Sequence, residues 1–262
     1  MKKAFSTILF IICLGVFLYS GYRLYLIFSE YRRGTVTYEE TASQYVSQAP
    51  LPPQEEVKPT SQETGAGEPL ALPDLCPIQV DFEALQAANP DIKGWIYMAD
   101  SVINYPVLQG ETNDTYLRHL PDGRYNTAGC IFIDSACRAD MTDLTTILYG
   151  HNMHNGSMFA VLESYKKQSF YDSHPLMWYL TPDAVYRLNI LAGFIESADH
   201  PLYGLYETKE ELDAFLDYAF PKSDFRSRYG EKHPEKIFIL STCDYAYEDA
   251  RYILIAEPVL QN

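Results

Sequence analysis

Basic side chains are scarce. Twenty lysines and arginines face 35 aspartates and glutamates in 262 residues, a formal charge of −15. Five of the basic residues (Lys2, Lys3, Arg23, Arg32 and Arg33) sit in residues 1–33 against Glu30 alone, so this end carries +4 and the rest −15 − 4 = −19. No basic cluster exists beyond residue 33, which excludes nucleic-acid binding, because that requires grouped lysines and arginines. Metal-ligand patterns are also lacking. His151 and His154 stand three apart with no third ligand at suitable spacing, and the acidic residues form no calcium-loop array. His119, His174, His200 and His233 have no grouping at all. There are no internal repeats. No metal and no cofactor is expected.

What is present begins with one long apolar run. Ala4–Tyr22 is uncharged, and LYLIF follows Arg23. This is about the 20 residues a membrane span needs. No small-residue cleavage site closes the run cleanly, so it reads as an uncleaved signal-anchor, with a cleaved signal peptide as the alternative. The short N-terminal tail and the large acidic portion after it place the N-terminus in the cytoplasm and the rest outside a single-pass cell-membrane anchor. Residues 34–75 are rich in Pro, Glu, Gln, Ser and Thr and too poor in large apolar residues to offset ordering entropy. They are expected to form a flexible or weakly helical stalk. The division expected is 1–33 anchor, 34–75 stalk and 76–262 folded domain. Cysteine is sparse, five in all, and an odd count in an exported chain leaves a free thiol. Cys130 and Cys137 flank a strand-to-loop segment within pairing reach, yet read better as small buried residues.

Along the remainder, Asp81 predicts an N-cap for a short helix to Ala88, stopped at Asn89-Pro90. Residues 94–98 and 102–108 read as a strand pair. Asn113–Leu120 reads as a short helix or turn, and 128–134 and 144–149 as strands. Residues 156–171 carry Phe159, Leu162 and Tyr165 at helix spacing. Residues 176–181 and 185–195 are strands around Thr181-Pro182-Asp183. Thr208 and Glu211 form a capping box for an amphipathic helix to Tyr218. The chain closes with KIFILSTCDYAYEDARYILIAEP, two β-rich segments around a polar loop. Many short strands with helices between them fit a mainly β, closed or nearly closed barrel, though pattern alone does not separate barrel from sandwich.

The closing hairpin places the Cys243 thiol at one strand's end and the Arg251 guanidinium at the start of its neighbour. A thiol attacks as thiolate, a form that a nearby cation favours. His151, at the end of LYGHNM, is the other candidate cation. Each has a plainer reading alone: Cys243 as a small core residue, Arg251 as a rim salt-bridge partner, His151 as a satisfied strand-end histidine. Papain-like enzymes run Cys before His with the Cys at a helix start, unlike the order here.

LYGHNM, ILSTC and DAR in that order resemble the sortases, cysteine transpeptidases of Gram-positive cell surfaces, with class B the best likeness. Ile239 stands where the family pattern TLxTC has Thr. NDTYLRHLPDGRYNTAGCIFID (Asn113–Asp134) is similar to the class B segment that walls the substrate groove. The likeness covers residues 81–259. It implies a closed eight-stranded sortase-type β-barrel, mainly β with inserted helices, an N-terminal helix and a helix before the seventh strand. It implies His151, Cys243 and Arg251 as catalytic residues. Asn113, Leu117, Ser241 and Asp244 match groove positions; alone they read as a turn cap, a core residue and two hairpin-loop hydrogen-bonders. The implied partners are secreted proteins bearing a C-terminal sorting motif, cleaved after Thr through a thioacyl-enzyme, and a cell-wall peptidoglycan amine. The alternatives are a pilin-polymerising sortase, a peptidoglycan-acting cysteine peptidase or L,D-transpeptidase, and a non-enzymatic anchored adhesion domain. Against the first, no Asp-Pro-aromatic lid motif occurs in residues 34–80. Against the L,D-transpeptidase, Thr242 rather than glycine precedes Cys243.

Overall fold

The computed structural model describes residues 2–49, 75–201 and 203–261. In chain order the elements are helix α1 (Lys2–Tyr45), strands β1 (Val46–Gln48) and β2 (Ile78–Val80), helix α2 (Phe82–Ala88), and strands β3 (Ile92–Tyr97), β4 (Asn104–Leu108), β5 (Ile131–Ile133) and β6 (Thr145–Tyr149). A 3₁₀ helix (Phe159–Lys166), α3 (Gln168–Ser173), β7 (Leu176–Leu180), β8 (Val185–Ser197), α4 (Lys209–Ala219), a short 3₁₀ turn (Phe220–Lys222), β9 (Ile237–Cys243) and β10 (Ala250–Gln261) complete it.

The eight strands β3–β10 close into a barrel in the order β10-β8-β7-β3-β4-β5-β6-β9. Closure removes the unpaired edges that an open sheet would present. Two of its pairings are parallel, β4 with β5 and β6 with β9. Helix α4 precedes the seventh barrel strand, as the family likeness implied. Its N-terminus carries the expected capping box: the Thr208 side chain accepts from the Glu211 amide, and the Glu211 carboxylate accepts from Thr208 N–H. Leu212, Phe215 and Leu216 are its buried face. Asp81 caps α2 by accepting from the Ala84 amide at 3.0 Å. The interior is filled by side chains such as Ile96, Leu148, Tyr179, Ile190, Leu240 and Leu254. A second cluster around Phe82, Leu85, Trp95 and Trp178 seats α2 and β2 against the outer wall.

Three expectations change. The helical pattern of 156–171 is split, because Met158 adopts φ 58° and Lys167 is extended, leaving a 3₁₀ helix and then α3. The strand expected over 128–134 is shortened to Ile131–Ile133, since Gly129 takes a left-handed φ of 55°. The stalk expected over 34–75 does not begin at residue 34. Helix α1 runs on to Tyr45, and β1 pairs with β2. Tyr31, Gly34, Tyr38, Ala42 and Tyr45 recur every three or four residues, a helical stripe on α1 that mean composition hides. Gly34 and Tyr38 are buried. Tyr38 donates to the Gly129 carbonyl and meets Tyr105 edge-to-face at 5.1 Å. Residues 50–74, the rest of the expected stalk, lie outside the described residues.

Candidate active site

Register explains why three residues distant in sequence meet. Strands β6 and β9 run parallel with Tyr149 opposite Ser241. The Gly150 amide donates to the Ser241 carbonyl at 3.2 Å, and the Thr242 hydroxyl donates to the Gly150 carbonyl at 2.8 Å. His151 and Cys243 therefore leave adjacent strands in step, each two residues past a paired position. On the other side of β9, Cys243 is directly opposite Arg251 of β10. Opposed residues in an antiparallel pair project to the same face with Cβ atoms about 5 Å apart. The thiol and the guanidinium thus share one rim.

All three residues line a single cleft of about 260 Å³ with Asn113, Asp114, Leu117, Phe132, Tyr149, Ala198, Tyr203, Ser241 and Thr242. His151 is half-buried, and its Nε2–H donates to the Leu117 carbonyl at 2.7 Å. Burial pushes its pKa below the ordinary value and the Arg118 charge adds to this, while the Leu117 carbonyl opposes both by favouring the protonated ring. Gly129 supports that carbonyl from behind. A Cβ there would lie 2.3 Å from the Leu117 oxygen, in a backbone conformation already costly for other residues.

Two carboxylates near the rim, those of Glu196 and Asp244, are held by lysines. Glu196 of β8 is in register with Arg251, yet its carboxylate accepts from Lys222 at 2.8 Å, from Tyr218 and from the Ser197 amide. Among the described residues, no carboxylate lies within ion-pair distance of Arg251, whose guanidinium donates to the Ala250 carbonyl at 3.1 Å. Asp244, next to the thiol, is paired with Lys166 at 2.5 Å, and Asn152 bridges the Cys243 carbonyl at 3.0 Å to Glu163 at 2.8 Å. The remaining folded-part cysteines lie outside the cleft. They are free, and burial pushes the thiol of Cys130 up to about 12 and those of Cys76 and Cys137 up to about 11.

The chain has counterparts among known proteins. The chain is 29% identical to sortase B of Staphylococcus aureus over 258 residues, 97% of each chain. A solved S. aureus sortase B–substrate complex is 33% identical with a TM-score of 0.64, covering 69% of this chain and 85% of that one. The chain belongs to the sortase B family. A sortase B complexed with triglycine matches at 32% identity and TM-score 0.65, over 69% of this chain and 86% of that one. No protein-family model matches.

This sortase is accordingly a cysteine transpeptidase on a closed eight-stranded barrel. Of the residues named from its sequence, His151, Cys243, Arg251, Asn113, Leu117 and Ser241 come together in the cleft. Asp244 does not line it. Its carboxylate turns to Lys166 and to the Ala246 amide at 2.8 Å, because a carboxylate only 3% exposed needs a counterion, and Lys166 supplies one. Asn113 lines the cleft with its amide already engaged, donating to Asp134 at 3.1 Å and accepting from the Ser135 amide at 2.7 Å. Tyr149 was missed although it stands in LYGHNM; its hydroxyl donates to the same Asp134 oxygen at 3.0 Å. Tyr203 and Ala198 were missed too, and no sequence signal marks them, since they enter from the β8–α4 loop. The buried hydroxyl of Tyr203 interacts with those of Ser241 and Tyr149.

Proposed function

We propose that this sortase cleaves a C-terminal sorting motif of secreted proteins after Thr and joins the new carboxyl end to a peptidoglycan amine. The observation that carries the reading is the in-register opposition of Cys243 and Arg251 with His151 two residues past the neighbouring parallel strand. The substrate and triglycine complexes of similar sortase B proteins support an acyl donor and a glycyl amine as the two partners.

In this mechanism the Cys243 thiolate attacks the Thr carbonyl, forming the C–S bond and an oxyanion. Arg251 donates to that oxyanion, a role suited to a rigid cationic fork and open to it because Glu196 is held by Lys222. The C–N bond breaks as His151, in its imidazolium form, gives its proton to the leaving amine. The incoming amine attacks the thioester and yields its proton to His151. The C–S bond breaks and the thiolate returns. Asn113, Leu117, Tyr149, Tyr203 and Ser241 form the walls along which the extended motif lies. Residues 76–262 hold the catalytic machinery. Residues 1–33 anchor it, N-terminus in the cytoplasm, through the helix whose apolar stretch has mean hydropathy 1.9.

Mass spectrometry of the protein mixed with LPxTG-, NPxTx- and PPxTG-type peptides tests the assignment. An acyl adduct on Cys243, transferred to an added amine and absent from Cys243→Ala, is the expected result. An adduct-free Cys243 with every peptide overturns the sorting-motif reading.

A further inference from the structure

Residues 5–28 of α1 are exposed along their whole length. Barrel contacts begin two residues later. The Asn126 side chain donates to the Glu30 carbonyl at 3.0 Å, and the Thr127 amide donates to the Glu30 carboxylate at 2.9 Å. Gly34 and Tyr38 then pack on Ala128, Asn126 and Gly129. At about 1.5 Å per residue, the first contact lies roughly 3 Å along the axis from Phe28 and the Tyr38 contact roughly 15 Å. There is no slack between the exposed apolar stretch and the barrel.

The segments that reach α1 here are continuous with the cleft walls. One runs from Leu117 to Thr127. The other runs from His151 to Met158, whose residues Asn155, Gly156 and Ser157 share a groove with Gly34, Thr35 and Tyr38. The cleft-bearing end of the barrel is thus the end bound to the helix. The portion after residue 33 is acidic overall, but the exposed Arg32 and Arg33 of α1 lie two and three residues past the Glu30 contact and suit anionic headgroups there. Tyr125, adjoining the docked Asn126, is 62% exposed, and an aromatic ring with a polar tip suits the lipid–water interface.

We propose that the turn Tyr125–Thr127 is a second membrane contact: Tyr125 rests among anionic lipid headgroups, and α1 mounts the cleft-bearing end of the barrel rigidly at the bilayer surface. This rests on the reading of residues 4–28 as membrane-embedded. It gives the enzyme a direct geometry for substrates that are themselves membrane-tethered.

The test uses the full chain in phosphatidylglycerol–phosphatidylcholine vesicles, with tryptophan placed at Tyr125→Trp or Leu260→Trp. Leu260 is exposed near the far end of β10, roughly 30 Å from the cleft end at a strand rise of about 3.3 Å. Trp95 and Trp178 are fully buried and common to both variants. A headgroup-level spin-labelled lipid should quench Tyr125→Trp several-fold more than Leu260→Trp, and a short Gly-Ser insertion between Phe28 and Ser29 should erase most of that difference. Equal quenching of the two variants, in protein that resists alkaline carbonate extraction, overturns the contact while leaving the anchor intact. Quenching unchanged by the insertion overturns the rigid mount. Release by carbonate overturns the embedded helix and the proposal with it.

Discussion

Cys243 and Cys130 carry the same functional group in opposite settings. Cys130 is fully buried beside Tyr38 and donates to the His119 carbonyl at 3.1 Å, so burial keeps its thiol protonated. Cys243 ends β9 at the rim, half-buried, with a guanidinium opposite and an imidazole from the next strand in the same cleft. What separates the proposed nucleophile from packing material is therefore position along a strand, not residue type. A few residues of depth exchange a cation and an open cleft for a low-dielectric interior.

The sharpest test of that contrast is loss of transfer. Cys243→Ala should lower acyl transfer by at least ~10³-fold, while Cys130→Ala and Cys137→Ala retain near-normal turnover in a peptide-transfer assay. Comparable losses in all three would dissolve the distinction. Next, Arg251→Gln should reduce kcat/KM by ~10² to 10³, the usual value of one oxyanion donor, with Lys a poor substitute because it lacks the planar fork. Lys222→Met should cost roughly tenfold, since Glu196 is then free to capture Arg251. Adding Glu196→Gln should restore activity, a rescue that a merely structural loss would not show.

A titration comes next in size. Because burial favours neutral His151, its midpoint by NMR should fall below the unperturbed value of about 6.5. The folded pKa lies below the unfolded one, so this group's contribution to stability is whole above about pH 6.5 and is lost as pH falls through the folded value. Gly129→Ala, which displaces the Leu117 carbonyl from the ring, should move that midpoint. The smallest effect expected is on stability: Cys130→Ala should cost about 1 kcal/mol by denaturant unfolding through lost packing.

Much of the chemistry could be read without coordinates. LYGHNM, ILSTC and Arg251 are compact signals because each residue proposed as catalytic sits at a strand end, where local sequence and local geometry coincide. Asp244 was misplaced because adjacency to Cys243 says nothing of which way a side chain turns, and the lysine that claims it is 78 positions away. Tyr203 was invisible for the same reason: a loop residue reaches the cleft only through the packing of β8 and α4. The extension of α1 across residues 34–45 escaped notice because mean composition averages away the Tyr31–Tyr45 stripe, whose partners Asn126 and Gly129 lie some ninety residues away.

The amino-acid sequence by itself determined the apolar N-terminal run and the strand and capping signals, and it marked the three residues proposed for the chemistry, since these depend on neighbours within a few positions. Tertiary structure alone decided that the strands close into a barrel, that β6 and β9 run parallel with Tyr149 opposite Ser241, that Lys222 and Lys166 take the carboxylates flanking the rim, and that α1 binds the cleft end. Those outcomes depend on which distant surfaces fill one another's volume and satisfy one another's hydrogen bonds, and no local pattern encodes that choice.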